Sequence, residues 1–184
     1  IIRGHIGKIN MPVFNAMGNH DYTYYNTNTT VKTNENSSTI NLLSQRSFED
    51  VFGPINFSFD RGNVHFVCMK DIYFKSTSSW NAGDYSGGFT DEEYSWLVQD
   101  LQNTPKNMKV VLCVHIPIST SSGPKVSDVK SLLKSFTNSI VFSGHTHYQR
   151  TVYEGDRLYE QIHSAVCGQW WWSKIEGDGC PNGY

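Results

Sequence analysis

Apolar and polar residues alternate with two different periods along this chain, and the changes of period mark its elements. Ile55, Phe57 and Phe59 alternate with polar residues, Asp60 to Asn63 supply turn chemistry, and Val64, Phe66 and Cys68 alternate again. That pattern predicts a β-hairpin. "GGFTDEEYSWLVQDLQNT" has helical spacing behind a clear start. Thr90 and Glu93 form a capping box, Phe89 and Tyr94 a staple, and Asp91 and Glu92 suit the positive end of the helix. "KVVLCVH" is a short, β-branched, all-apolar run, as in a strand covered on both faces. Val126, Val129, Leu132, Leu133 and Phe136 mark a second amphipathic helix, and "SIVFSGHTH" is another buried strand running into polar residues. Met11 to Phe14 reads as the start of a further strand. Tyr22 to Gln45 is mostly Asn, Thr and Ser, and is expected to form a long surface loop overhanging the segment before it. The order strand, helix, strand, helix, strand predicts an α/β layered fold with part of its sheet parallel.

Composition narrows the function without naming it. The chain has 184 residues, 38% hydrophobic and 17% charged, which suits one globular domain with a sizeable core. A net charge of −2 gives no basic patch for nucleic acid, and no apolar run is long enough to be a transmembrane segment. "IIRGHIGKINM" has neither the apolar core nor the cleavage site of a signal peptide. Cys68 and Cys113 sit in strand-like runs and read as buried thiols. Cys167 and Cys180 are free to pair, but spacing alone does not pair them.

The candidate chemistry lies where the strands stop. "VFNAMGNHD" ends at Asn19 and His20, "VVLCVHIP" at His115, and "IVFSGHTH" at His145 and His147. In α/β sheets, sites form at the carboxyl ends of strands, where adjacent loops converge. Imidazole and amide groups there suit zinc, iron or manganese. One histidine at a strand end is ordinary core or capping chemistry, whereas three ends alike point to a metal site. Both His145 and His147 reach one centre only if the backbone turns, and Gly144 is the residue expected to permit it.

GNHD, the histidine of "VHIP" and the G-H-x-H of "GHTH", in that order, resemble the calcineurin-like metallophosphoesterases, which include purple acid phosphatases. The hairpin and capped helix between these motifs are similar too, so the resemblance runs from about Met11 to His147. It implies an α-β-β-α sandwich with two mixed sheets, and two divalent or trivalent metal ions (Mn, Fe or Zn). Asn19, His115 and His145 would bind the second metal and His147 the first. His20 would stand over the phosphate and protonate the leaving alkoxide, with Asp21 orienting it, and Gly18 would clear the space for that turn. A hydroxide made available by the two cations would attack a phosphomonoester or phosphodiester in line. An alternative is a non-catalytic scaffold of the same fold that binds a protein partner. Such scaffolds tend to lose the general-acid histidine, and His20 is present. A zinc amidase or protease is disfavoured because no H-E-x-x-H occurs.

The chain also departs from the family pattern. Nothing before Met11 matches the family's D-x-H and G-D motifs, so residues 1–184 are expected to be a metallophosphoesterase catalytic domain lacking its N-terminal segment. With four of the family's ligands in hand, this chain alone is expected to hold at most one metal, weakly, and to be inactive. From about residue 165 to 184 the sequence resembles the stretch that in secreted bacterial members leads to a C-terminal domain, which implies secretion or a periplasmic location. Trp170, Trp171 and Trp172 read equally as a substrate platform or as packing at that junction. Arg150 is a candidate phosphate ligand, with a solvated arginine the plainer reading.

Overall fold

The computed structural model of the chain describes residues 4, 7–22, 37–74 and 85–165. Eight strands fall into a six-stranded mixed sheet and a two-stranded one. The first hairpin joins β1 (Phe57–Arg61) to β2 (Val64–Cys68), antiparallel, with Arg61 opposite Val64. Gly62, at φ +59, takes the left-handed conformation that its tight turn requires. Then follow β3 (Ile72–Phe74) and β4 (Tyr85–Gly87), the small antiparallel sheet, and helix α2 (Asp91–Gln102). β5 (Lys109–Cys113), α3 (Val126–Lys134), β6 (Asn138–Ser143), β7 (Arg150–Tyr153) and β8 (Leu158–Ile162) complete the order, with α1 (Ser37–Phe52) preceding β1. The large sheet runs β1-β2-β5-β6-β8-β7, and its inner four strands are mutually parallel. This is the mixed α/β architecture expected from the sequence.

Burial explains the pattern of apolar runs. Val110, Leu112 and Val141 are fully buried and pack with Leu97 and Leu101 of α2 and with Val129 and Leu133 of α3. The two helices therefore cover one face of the large sheet, as their spacing predicts. α2 starts on the expected box: Thr90 Oγ1 accepts from Glu93 N at 3.2 Å, and Glu93 Oε2 accepts from Thr90 N at 2.8 Å. Glu93 also meets Lys70 Nζ at 2.9 Å in an almost fully buried ion pair, tying the helix start to the end of β2. His65 bridges Asp60 and Asp100 at 2.6 and 2.8 Å, tying the hairpin to the same helix.

Two sequence expectations are corrected. Met11 to Phe14 is not part of a strand: residues 12–18 form no regular secondary structure, and no ladder among the described residues pairs with them. Phe14 remains 55% exposed and stacks on Phe59 at 4.4 Å, so the apolar run lies over the sheet rather than within it. The expected loop from Tyr22 to Gln45 is overturned from Ser37 onward, where α1 begins. Phe48 and Phe52, one turn apart, meet as tilted rings at 5.0 Å, and Gly53 at φ +93 followed by Pro54 ends the helix. The polar run hid a helix whose apolar face is narrow.

Candidate metal centre

The parallel register gathers the site. Cys68 pairs with Cys113, Cys113 with Phe142, and Ser143 with Ile162, so the chain leaves β2, β5, β6 and β8 at one edge of the sheet. Asp71, His115, the Gly144–His147 turn and His163 emerge there side by side. The single-turn 3-10 helix Asn19–Asp21 closes over them. Gly18 lies against the imidazole of His115. A Cβ there would sit 3.0 Å from Cε1 and Nδ1 of that ring, so only glycine lets Asn19 approach. Asp21 folds back to accept a 2.8 Å hydrogen bond from Gly18 N, which fixes the turn.

Three lone-pair atoms converge in the resulting cleft. Asn19 Oδ1 lies 2.9 Å from His115 Nε2, which lies 3.2 Å from His145 Nδ1. Two ligands at right angles, each about 2.1 Å from a cation, stand about 3.0 Å apart. The two separations, 2.9 and 3.2 Å, are compatible with neighbouring ligands on one ion. Tyr85 Oη stands 3.2 Å from His145 Nε2. With that nitrogen carrying the proton, the lone pair of His145 is on Nδ1, toward the cleft.

The backbone holds His145 and His147 in an unusual shape. Both sit in the left-handed region, at φ +64 and +61. Such strain in non-glycine residues persists only where the surroundings impose it. Gly144 is not what makes this turn, contrary to expectation: its φ is ordinary, and a Cβ on it would meet only His163 O, at 3.9 Å. Gly144 N instead donates to His115 O at 3.0 Å, tying the two histidine loops together.

Electrostatics favour the neutral form of His115 and His145, the form that ligates metal. Burial, and then the charges of His145, His20 and His147, push the His115 pKa down to about 4. Burial, then His147 and His20, lower that of His145. Burial raises Asp21, against the pull of the Gly18 amide and of His20. Burial also lifts Asp71 to about 7, opposed by the backbone amides of Ile116 and His115 and by Lys70.

Asn19, His115 and His145 are thus in contact, and His147 is near enough for its charge to act on both histidines. His20 is exposed at the rim beside them. Arg150 opens β7, exposed, opposite Ile162, and among the described residues no hydrogen bond joins it to the histidines. Trp170, Trp171, Trp172, Cys167 and Cys180 lie outside the described residues. Tyr85, Asp71 and Glu160 went unnoticed in the sequence. Only the Lys70–Asp71 pair at the end of an apolar strand carried a signal, since charges there need partners. Among the described residues no three His, Cys, Asp or Glu side chains form a metal-holding group, so the cluster depends on an amide oxygen.

A family model for calcineurin-like phosphoesterases matches residues 2–149, which include Asn19, His20, His115, His145 and His147. The chain belongs to the calcineurin-like phosphoesterase family. Metal-dependent hydrolysis of phosphoesters is the general activity of these metallophosphoesterases, and the mixed sheet with its strand-end cleft is consistent with their fold. No curated protein matches this metallophosphoesterase chain closely. Among the described residues of the phosphoesterase, no helix is long and apolar enough to cross a membrane.

Proposed function

We propose that this chain supplies one half of a dinuclear phosphoesterase centre. The reading is carried by the convergence of Asn19 Oδ1, His115 Nε2 and His145 Nδ1 at 2.9 and 3.2 Å. These three donors hold one cation, and His147 contributes to a second. When bound, such cations polarise the phosphoester and make water a nucleophile near neutral pH. The chain's own residues do the rest. Exposed His20 faces the substrate side and gives a proton to the leaving alkoxide, and Asp21 orients it through the turn it stabilises. Arg150, Trp170, Trp171 and Trp172 are proposed as substrate contacts.

All four ligands are neutral, so nothing among them offsets the loss of a dication's hydration. We therefore expect these residues alone to hold at most one ion, weakly, and to hydrolyse no phosphoester without further anionic ligands. The experiment is manganese and zinc titration by calorimetry, with phosphomonoester and phosphodiester assays, on wild type and His115→Ala. Weak binding of one ion, lost in His115→Ala, supports the reading. Two tightly held ions in this chain, or binding indifferent to His115, would sink it. A form supplied with such anionic ligands that still binds no metal would point to the scaffold instead.

A further inference from the structure

The segment His115-Ile116-Pro117-Ile118-Ser119 leaves β5 without joining any strand or helix, yet none of its amides is orphaned. Asp71 Oδ1 accepts from His115 N at 3.0 Å and Ile116 N at 3.2 Å, and Asp71 Oδ2 accepts from Ile116 N at 2.9 Å. Glu160 Oε1 accepts from Ile118 N at 2.9 Å, and Oε2 from Ser119 N at 2.8 Å. The residue between, Pro117, has no N–H to place. Two carboxylates, each only 1% exposed, thus take up every amide hydrogen of the loop from either side.

Buried carboxylates are costly, and an ordinary loop is satisfied by water or by its own turns. Here the charge is spent on one five-residue path whose first side chain is His115. Its carbonyl also receives Gly144 N, so a shift of this loop moves the His145 turn as well. The imidazole lies so close to Gly18 that even a Cβ there would crowd it, which limits how far the ring can follow a moving backbone on that side.

The geometry points to Asp71 and Glu160 as positioning residues, which fix the His115 loop and through it the spacing of the metal donors. This inference rests on the metal-centre reading above. It assigns the two carboxylates no contact with metal or substrate. They act by holding backbone, and Asp71, which grips His115 itself, is the more important.

Asp71→Asn and Glu160→Gln test it, because each keeps the side chain's shape and one acceptor oxygen while the other oxygen becomes a donor facing an amide. Cobalt(II) is titrated into wild type and both variants well below their unfolding temperatures, with affinity and the visible spectrum as readouts. Asp71→Asn should weaken affinity by roughly 10–100-fold and alter the cobalt spectrum, as loss of a ligand's outer hydrogen-bond partner does. Glu160→Gln should show a smaller loss. A purely structural role would lower the unfolding temperature and leave the affinity of the folded protein unchanged, and that result overturns the inference. Nitrogen-15 spectra of the imidazoles provide a metal-free readout. In Asp71→Asn the His115 ring signals should shift or broaden, while those of His65, held by Asp60 and Asp100, stay in place. If wild type binds no cobalt yet the His115 signals respond, the metal reading fails and the positioning role stands. If the His115 signals do not respond, the positioning role fails whatever the metal does.

Discussion

Gly18→Ala should damage the site through a single methyl group. Gly18 has φ −109, which alanine adopts without strain, so the substitution would ordinarily stabilise by about 0.4–1 kcal/mol through the unfolded chain. The added Cβ, however, lies 3.0 Å from the His115 ring, where 3.4 Å is the near edge of ordinary contact. The ring must retreat by about 0.4 Å, the difference of those two distances, and Gly18 is itself buried. Overpacking of this kind costs about 1–3 kcal/mol. The net loss is then about 1 kcal/mol, or a fall of roughly 2–4 °C in unfolding temperature for a chain of this size. The same retreat disturbs the 2.9 Å approach of His115 Nε2 to Asn19 Oδ1, so metal affinity should fall about tenfold or more. Urea denaturation and calorimetric titration measure the two effects. Gly144→Ala is the internal control. It lies in the same site, but its Cβ meets only an atom at 3.9 Å, so stability should be unchanged or slightly higher. A Gly18→Ala protein as stable as wild type with unaltered metal affinity would refute the close-approach reasoning.

Acid should destabilise the protein through His115. Its pKa falls from 6.5 to about 4 on folding, so the unfolded chain takes up a proton that the native state refuses. Stability from this group is complete above pH 6.5 and is lost as pH falls toward 4, and His115→Gln should flatten that part of a urea-midpoint profile. In an active form of the enzyme that carries the further anionic ligands, His20→Ala should leave metal binding intact while slowing turnover of alkyl phosphates by roughly 10²–10⁴-fold, with little effect on esters of acidic phenols. An equal loss on both ester types would mean that His20 binds phosphate rather than donating a proton. Lys70→Met strands the buried Glu93 carboxylate and should cost about 3–5 kcal/mol in chemical denaturation, with much of it restored by adding Glu93→Gln.

Much of this architecture is legible in the sequence, for identifiable reasons. Thr90 and Glu93 announce the start of α2 because capping is local chemistry, and β5 and β6 are legible because strands buried on both faces have no polar side to disguise them. α1 is hidden because its Ser- and Thr-containing start continues the polar run before it, and the Gly53-Pro54 stop is the clue that remains. Met11 to Phe14 misled in the opposite direction: apolar residues that lie over a sheet look like residues inside one. The strand-end motifs single out Asn19, His115, His145 and His147, and the structure brings the first three into contact, but nothing in the sequence points to the supports of that contact. Asp71 and Glu160 act on backbone amides 41 to 45 residues away in sequence, and no periodicity encodes such pairing. The turn at His145 and His147 was credited to glycine because propensity favours it, whereas tertiary packing imposes it on the histidines.

The parallel register of β5 and β6 has a consequence for how the chain reaches its native state. Pairing of parallel strands is non-local and slow, and a slipped register is its typical error. Sliding β5 by one residue along β6 would carry His115 roughly 3.3 Å and turn its side chain to the opposite face of the sheet. The three donors, spaced at 2.9 and 3.2 Å when Cys113 stands beside Phe142, would then no longer meet. The cleft is therefore a vernier for strand alignment.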